Sequence, residues 1–446
     1  VSTPPSPAHG RLARRLGLRD AIAIGLAAMI GAGVFAVWAP AAQAAGSWLL
    51  AGLAIAALVA VANAGSTAQL AVRHPEAGGA YRYGRERLGP WPGFLAGWGF
   101  VIGKTASCAA MAITAAAYLV PPAWQKPVAV AAVVVLVGVN VLGVTRTARV
   151  ASVIVSAVLA VLVVVVAAGV AATAGGGWGA GDAAVVVAPR GVPDAPAAAI
   201  AGAYGVLQAA ALIFFAFAGY ARIATLGEEV REPTRTIPRA IGVAFAIVLV
   251  VYAAVGTAAL GSLGPAALAS STAPLVDVAG VAGWLWAEPV VRVAAGVAAL
   301  GSLLALIAGV GRTSLAMARD GELPRPLATV HPRFGVPHVA EITVGAAVVV
   351  LVLVADLRGA IGFSSFGVLL YYLVANASAL TQPAGERLVP RWLSWFGAIG
   401  CVVLVVTLPL PSIVGGVAVF VVGAVIRLIA SAVRRRRGAR PGSATQ

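Results

Sequence analysis

Two short glycine-bearing segments sit in the middle of long apolar runs, Ile30-Gly31-Ala32-Gly33-Val34-Phe35 and Phe214-Phe215-Ala216-Phe217-Ala218-Gly219-Tyr220. Small residues at such places suit close packing of helices. They equally suit a broken helix, whose freed N–H and C=O groups cost several kcal/mol each in lipid unless something polar satisfies them. A zwitterion can do so: amides at the positive end of a restarting helix suit a carboxylate, and free carbonyls suit an ammonium. Such a site needs no charged side chain. Lys104 nevertheless lies deep in another apolar run, about 18 Å from Pro92 at about 1.5 Å per residue, too far for its stem to reach either surface easily. It must face protein or a water-filled cavity. Ser107 and Cys108, at i+3 and i+4, share its helix face and are expected to line that cavity. The alternative is a structural lysine tied to backbone carbonyls.

The elements that must hold these residues are membrane helices. Of 446 residues, 61% are hydrophobic and 10% are charged, against roughly 45–50% and about 25% in soluble domains. A bilayer core of about 30 Å takes about 20 helical residues. Twelve apolar runs meet that length, here numbered spans 1 to 12: 18–39, 47–72, 93–121, 127–144, 148–174, 199–227, 238–262, 289–318, 337–355, 360–381, 392–409 and 411–431. The prolines of Leu408-Pro409-Leu410-Pro411-Ser412 separate the last two. The interruptions fall in spans 1 and 6, five apart, which is the pattern of a transporter built from inverted repeats.

The formal net charge is +16, with 31 Lys+Arg against 15 Asp+Glu. With both termini cytoplasmic, twenty-five of the basic residues fall on the inner side and only Lys126, Arg190, Arg292 and Arg358 on the outer side, leaving Lys104 and Arg222 inside spans. The positive-inside rule therefore accounts for the charge, and no nucleic-acid partner is expected. The basic run Arg434–Arg437 reads as a stop-transfer anchor, with anionic lipid binding as the lesser alternative. Val1–Arg15 resembles a signal-peptide n-region, but the apolar stretch that follows is too long for an h-region, so span 1 is retained.

Cys108 and Cys401 lie in apolar runs and all four histidines lie in polar segments. A disulfide framework and intramembrane histidine-metal chemistry are excluded, and no cofactor or metal is expected. An ATP-driven pump would need a glycine-rich phosphate loop followed by Lys-Ser/Thr, and none exists. A polytopic transferase would want Asp, Glu or His at a membrane face and a large loop. The longest inter-span segment, about 175–198, offers only Asp182 and Asp194, so no enzyme is expected.

The two interruptions take their place among other motifs: Pro75-Glu76-Ala77-Gly78-Gly79-Ala80-Tyr81 ahead of Gly97-Trp98, Glu228 through Arg239, and Ala318-Arg319-Asp320-Gly321-Glu322-Leu323-Pro324. In order and spacing the chain resembles the amino acid-polyamine-organocation superfamily, on its amino acid permease branch. The match is specific from span 1 to span 8, while spans 9 to 12 agree in number only. The resemblance implies an all-α, leucine-transporter-like fold of twelve transmembrane helices. A cytoplasmic tail (1–17) leads to a first inverted repeat (18–174), an extracellular loop (175–198) and a second repeat (199–381). Two added spans (392–431) and a basic cytoplasmic tail (432–446) follow. It also implies alternating-access transport of amino acids across the plasma membrane.

Carried over residue by residue, the carboxylate-binding break falls on Ile30, Gly31, Ala32 and Gly33, and the second break on Phe217, Ala218 and Gly219. Phe215 matches the aromatic that closes over substrate, with ordinary helix packing weighed equally. Many members carry an acid just after the span 6 glycine-aromatic pair, where this chain has Ala221 and Arg222. Arg222 either pairs with Glu228 or Glu229 or snorkels to the surface. Proton-coupled relatives place a lysine in span 5 where sodium sits in others; the matching stretch Ala148–Val158 has none in the membrane. Proton and sodium thus both stand as coupling ions, with Lys104 the candidate for the first and Ser302 a candidate oxygen ligand for the second. Spans 1, 3, 6 and 8 hold no carboxylate apart from Asp20, Glu228 and Glu229 at their ends, so neutral amino acids are expected over cationic ones. A basic amino acid or polyamine antiporter, and a non-transporting sensor on the same scaffold, are the alternatives.

Overall fold

The computed structural model describes residues 16–73, 78–143, 148–174, 195–224, 226 and 229–438. The described chain is helical almost throughout. Span 1 is built from α1 (Leu18–Ile30), α2 (Gly33–Ala36) and α3 (Trp38–Ala45), and α4 (Leu49–Arg73) follows. A short α5 (Ala80–Arg87) precedes α6 (Pro90–Leu119), α7 (Pro122–Val141) and α8 (Ala148–Ala172). The second half opens with α9 (Ala195–Phe217), a 3₁₀ turn (Ala218–Tyr220) and α10 (Ala221–Ala224), then α11 (Pro233–Ser270) and a second short helix, α12 (Pro274–Val281). The remainder is α13 (Ala287–Arg319), α14 (His338–Val354), α15 (Leu357–Leu380), α16 (Arg391–Thr407) and α17 (Leu410–Gly438).

Each expected span holds helix, with shifted limits. Helix α3 carries span 1 to Ala45, and α11 runs past span 7 to Ser270. It does so across Gly264, whose φ of 73° precedes Pro265 and turns the chain sharply. Helix α9 starts at Ala195, inside the expected extracellular loop, most of which (175–194) lies outside the described residues. So do residues 1–15, 74–77 and 439–446, with parts of both tails and of the glycine-rich loop. The prolines at 409 and 411 act as expected: α16 ends at Thr407 and α17 begins at Leu410.

Among the described residues ten helical stretches are long and apolar enough to cross a membrane, and α14 and α16 are shorter apolar helices of 17 residues. Proline opens several of them at a position where its missing N–H is no loss, as at Pro90, Pro122 and Pro274. Burial sorts them into an inner and an outer set. In the membrane window of α6, 83% of residues are buried inside the protein, against 17% for α7. The exposed faces of α7, α8 and α17 carry Val134, Val163 and Val421, the surface that lipid accepts. The inner helices approach closely through small residues: a Cβ on Gly99 of α6 would lie 2.7 Å from the Gly367 carbonyl oxygen of α15. Around this packed centre run the two interrupted helices.

Candidate functional site

Helix α1 stops at Ile30 because Gly31 leaves helical space (φ −32°, ψ −108°). Helix resumes at Gly33, and Val37 keeps helical dihedrals (φ −85°, ψ −20°), so α2 and α3 run on as one. The first amides after such a restart have no carbonyl one turn back. Opposite, α9 tightens into the 3₁₀ turn at Ala218–Tyr220 before α10 continues. The two breaks touch. A Cβ on Gly219 would collide with the Ala28 carbonyl, one on Gly33 would lie 2.8 Å from the Ala216 Cα, and one on Gly31 would collide with the Ser302 hydroxyl. Close packing and helix interruption, two readings of the same glycines, here coincide.

The carbonyls released at the breaks are met by side chains from four other helices. The Tyr252 hydroxyl of α11 lies 2.6 Å from the Met29 oxygen and 3.1 Å from that of Ala216, donating to one at a time and so bridging both interrupted helices. Lys104 Nζ of α6 and the Tyr372 hydroxyl of α15 each donate to the Ala218 oxygen at 3.2 Å. Ser302 of α13 donates to Ala27 O at 3.4 Å. Lys104, only 8% exposed, is thus tied to a backbone carbonyl, and that carbonyl belongs to the second break. Gly31, Ala32, Gly33, Ala218, Gly219, Lys104 and Ser302 come together at one level of the bundle. Ile30 and Phe215 are buried beside them, while Phe217 turns to α11 and stacks on Phe245 at 5.3 Å.

Ser107 and Cys108, expected to line a cavity, are taken up in helix packing. Ser107 shares a 2.6 Å hydrogen bond with Ser364 of α15 and Cys108 is fully buried in an apolar cluster, so that face of α6 is used for packing. A narrow cavity of about 10 Å³ does open next to Gly31 and Ser302, room for about one water. Helix α8 closes it with Ala151, Ile154, Val155 and Val158, all aliphatic. Sequence reasoning passed over Tyr118, Tyr252 and Tyr372, whose hydroxyls satisfy the interrupted backbone; Tyr118 donates to Phe35 O at 3.1 Å. A phenol in mid-span was the available signal for Tyr252 and Tyr372, since a buried hydroxyl needs a partner.

A second polar region lies at one end of the bundle. Tyr81 of α5 donates to Asp320 at 2.6 Å, and Arg85 lies 3.7 Å from Asp320 and 3.2 Å from Glu322. Burial and the Asp320 carboxylate push the Tyr81 hydroxyl well above its ordinary pKa, so it remains a donor. Arg427 of α17 completes the group, 2.6 Å from Glu322 and stacked over Trp91 and Phe94 at 4.3 and 4.8 Å. Arg222 is exposed, and both Arg312 and Glu229 act on it electrostatically. Glu228, its other expected partner, lies outside the described residues. Glu341 of α14, 2% exposed, is a carboxylate not singled out in the sequence; it packs against Gly311 beside Arg312.

An all-helical membrane bundle whose two interrupted helices meet at a shared polar level is the architecture of a transporter. The chain belongs to the amino acid permease family, within the amino acid-polyamine-organocation superfamily, whose model matches residues 16–431. It is 55% identical over 424 residues to an uncharacterized transporter of Mycobacterium tuberculosis, covering 94% of this chain and 92% of that one. It is also similar to two Arabidopsis thaliana proteins, cationic amino acid transporter 6, chloroplastic (29% over 391 residues) and cationic amino acid transporter 7, chloroplastic (30% over 389 residues). Each of those matches covers 82% of this chain and 65% of the plant protein.

Proposed function

We propose that this multi-pass membrane protein is a secondary active permease that moves neutral amino acids across the plasma membrane by alternating access. Its twelve spans form two inverted repeats of five plus two, with both termini in the cytoplasm. The observation that carries the reading is the contact of the two breaks. Restarting amides at Gly33 and Val34 and the carbonyls of Met29, Ala216 and Ala218 supply donors and acceptors for an α-carboxylate and an α-ammonium at one depth. The repeat is supported by paired features five spans apart: breaks in spans 1 and 6, and short helices α5 and α12 after spans 2 and 7.

Ile30, Gly31, Ala32, Gly33, Phe217, Ala218 and Gly219 form the substrate site, and Phe215 is its gate. Lys104 couples transport to protons by holding the Ala218 carbonyl when charged and releasing it when neutral. Ser302 at the small cavity is the place for sodium in the competing coupling scheme. Neutral substrates are favoured because Lys104 puts a positive charge at the pocket and no carboxylate borders the Ala218 carbonyl. A second reading, a cationic amino acid or polyamine antiporter, takes its support from the names of the plant relatives. A third, a non-transporting sensor, predicts binding without flux. Uptake of labelled alanine and leucine into proteoliposomes, competed by excess arginine, tests all three. Neutral specificity gives uptake that arginine leaves largely intact; half-inhibition by arginine at comparable concentration overturns it, and binding without uptake indicates the sensor.

A further inference from the structure

The last turns of α13 present Arg312 and Arg319 seven residues apart, on one face and about 10 Å apart along the axis. Between that face and the start of α5 lies a cavity of about 290 Å³ lined by Gly78, Tyr81, Arg82, Arg312, Arg319 and Asp320, among others. This is close to the lower end of the range for small-molecule sites, about 300 Å³. Arg312 and Arg319 are exposed, and among the described residues neither makes a hydrogen bond or an ion pair. Asp320 uses only Oδ2 for Tyr81 and Arg85; its Oδ1 has no partner among the described residues. The cavity therefore offers two guanidiniums without a hydrogen bond or ion pair among the described residues, Arg312 with the Glu341 carboxylate nearby, and one carboxylate oxygen without a partner among them.

That charge pattern selects its occupant. A purely anionic ligand such as a phosphate would meet Asp320, and a polyamine would meet three arginines. A zwitterion meets complementary charge at both ends, because guanidinium groups pair with a carboxylate in a bidentate manner and a carboxylate accepts from an ammonium. We infer that this mouth is a second amino acid site, with the substrate carboxylate on Arg312 and Arg319 and its ammonium on Asp320. The inference rests on the reading of the protein as an amino acid transporter, and it adds a station at the mouth to the central site at the breaks. Arg82, Arg222 and Arg312 around the mouth also oppose passage of a cationic side chain.

Equilibrium binding of radiolabelled L-amino acids to the full chain in detergent, with the label that gives the greatest uptake in proteoliposomes, tests this. Wild type should saturate at two molecules per chain. Arg312→Gln with Arg319→Gln should halve that number, Asp320→Asn should do the same through the ammonium end, and Arg312→Lys with Arg319→Lys should retain two. Should the double glutamine variant prove misfolded by size exclusion, Asp320→Asn carries the test alone. One molecule per chain in a wild type that takes up the same label overturns the second site and leaves the transporter reading standing. Two per chain in a monodisperse Arg312→Gln, Arg319→Gln protein or Asp320→Asn protein also overturns it. Absence of binding and uptake for all twenty amino acids overturns both.

Discussion

The two polar regions of this bundle solve the same problem by different means. At the helix breaks the acceptors are backbone carbonyls, met by hydroxyls of Tyr252, Tyr372 and Ser302 and by a single amine, Lys104. At the mouth the partners are full charges: Arg85, Arg427, Asp320 and Glu322. Depth explains the contrast. A charge at low dielectric costs several kcal/mol unless paired, whereas a backbone dipole is already present and needs only one partner. The breaks are therefore held together by dipoles, and the end of the bundle is tied by ion pairs.

The contrast can be broken most severely at Gly219. Gly219→Leu forces a side chain into the Ala28 carbonyl, and the cost should reach or exceed about 3 kcal/mol, the upper part of the overpacking range. Size exclusion should show no monodisperse protein, while Gly242→Ala, where a Cβ meets nothing within 4 Å, should behave as wild type. Arg427→Met comes next. It leaves Glu322, whose side chain is 6% exposed, with Arg85 alone. Loss of a partner from a buried ion pair costs about 3–5 kcal/mol, so the detergent melting temperature should fall sharply and adding Glu322→Gln should restore part of it.

Lys104→Met touches the breaks and should be mild for stability but large for function. Exchange of substrate should persist, while accumulation driven by a pH gradient should disappear; Lys104→Arg, which does not discharge, should trap one state. Unchanged pH-driven accumulation in a folded Lys104→Met protein would remove the coupling role and make sodium dependence the next measurement. The smallest effect belongs to Tyr252→Phe. It deletes one hydrogen bond between the two interrupted helices, about 0.5–1.5 kcal/mol, and should lower the melting temperature without changing which amino acids bind.

Much of the scaffold was legible because its cause is local. Apolar length marks a helix wherever lipid is the solvent, and Pro409 with Pro411 ends one regardless of context. The break at Gly31 was readable for the same reason, as glycine in mid-run is a local signal. The partners of the broken backbone were not: Tyr252 meets Met29 from 223 residues away and Tyr372 meets Ala218 from 154, distances over which a single sequence carries no pairing information. The short helices α5 and α12 escaped notice because α5 is polar and α12 has only eight residues, too few to register as a span. Ser107 and Cys108 were assigned to a cavity from helical spacing alone, and spacing fixes a face without naming what lies opposite it.

The Glu322–Arg427 pair also bears on how the chain is made. The ribosome delivers Glu322 105 residues before Arg427, and the two meet with Trp91 and Phe94 stacked on the guanidinium. Without α17, Glu322 keeps Arg85 as its cation. Helix α17 therefore completes an electrostatic clasp around segments laid down far earlier.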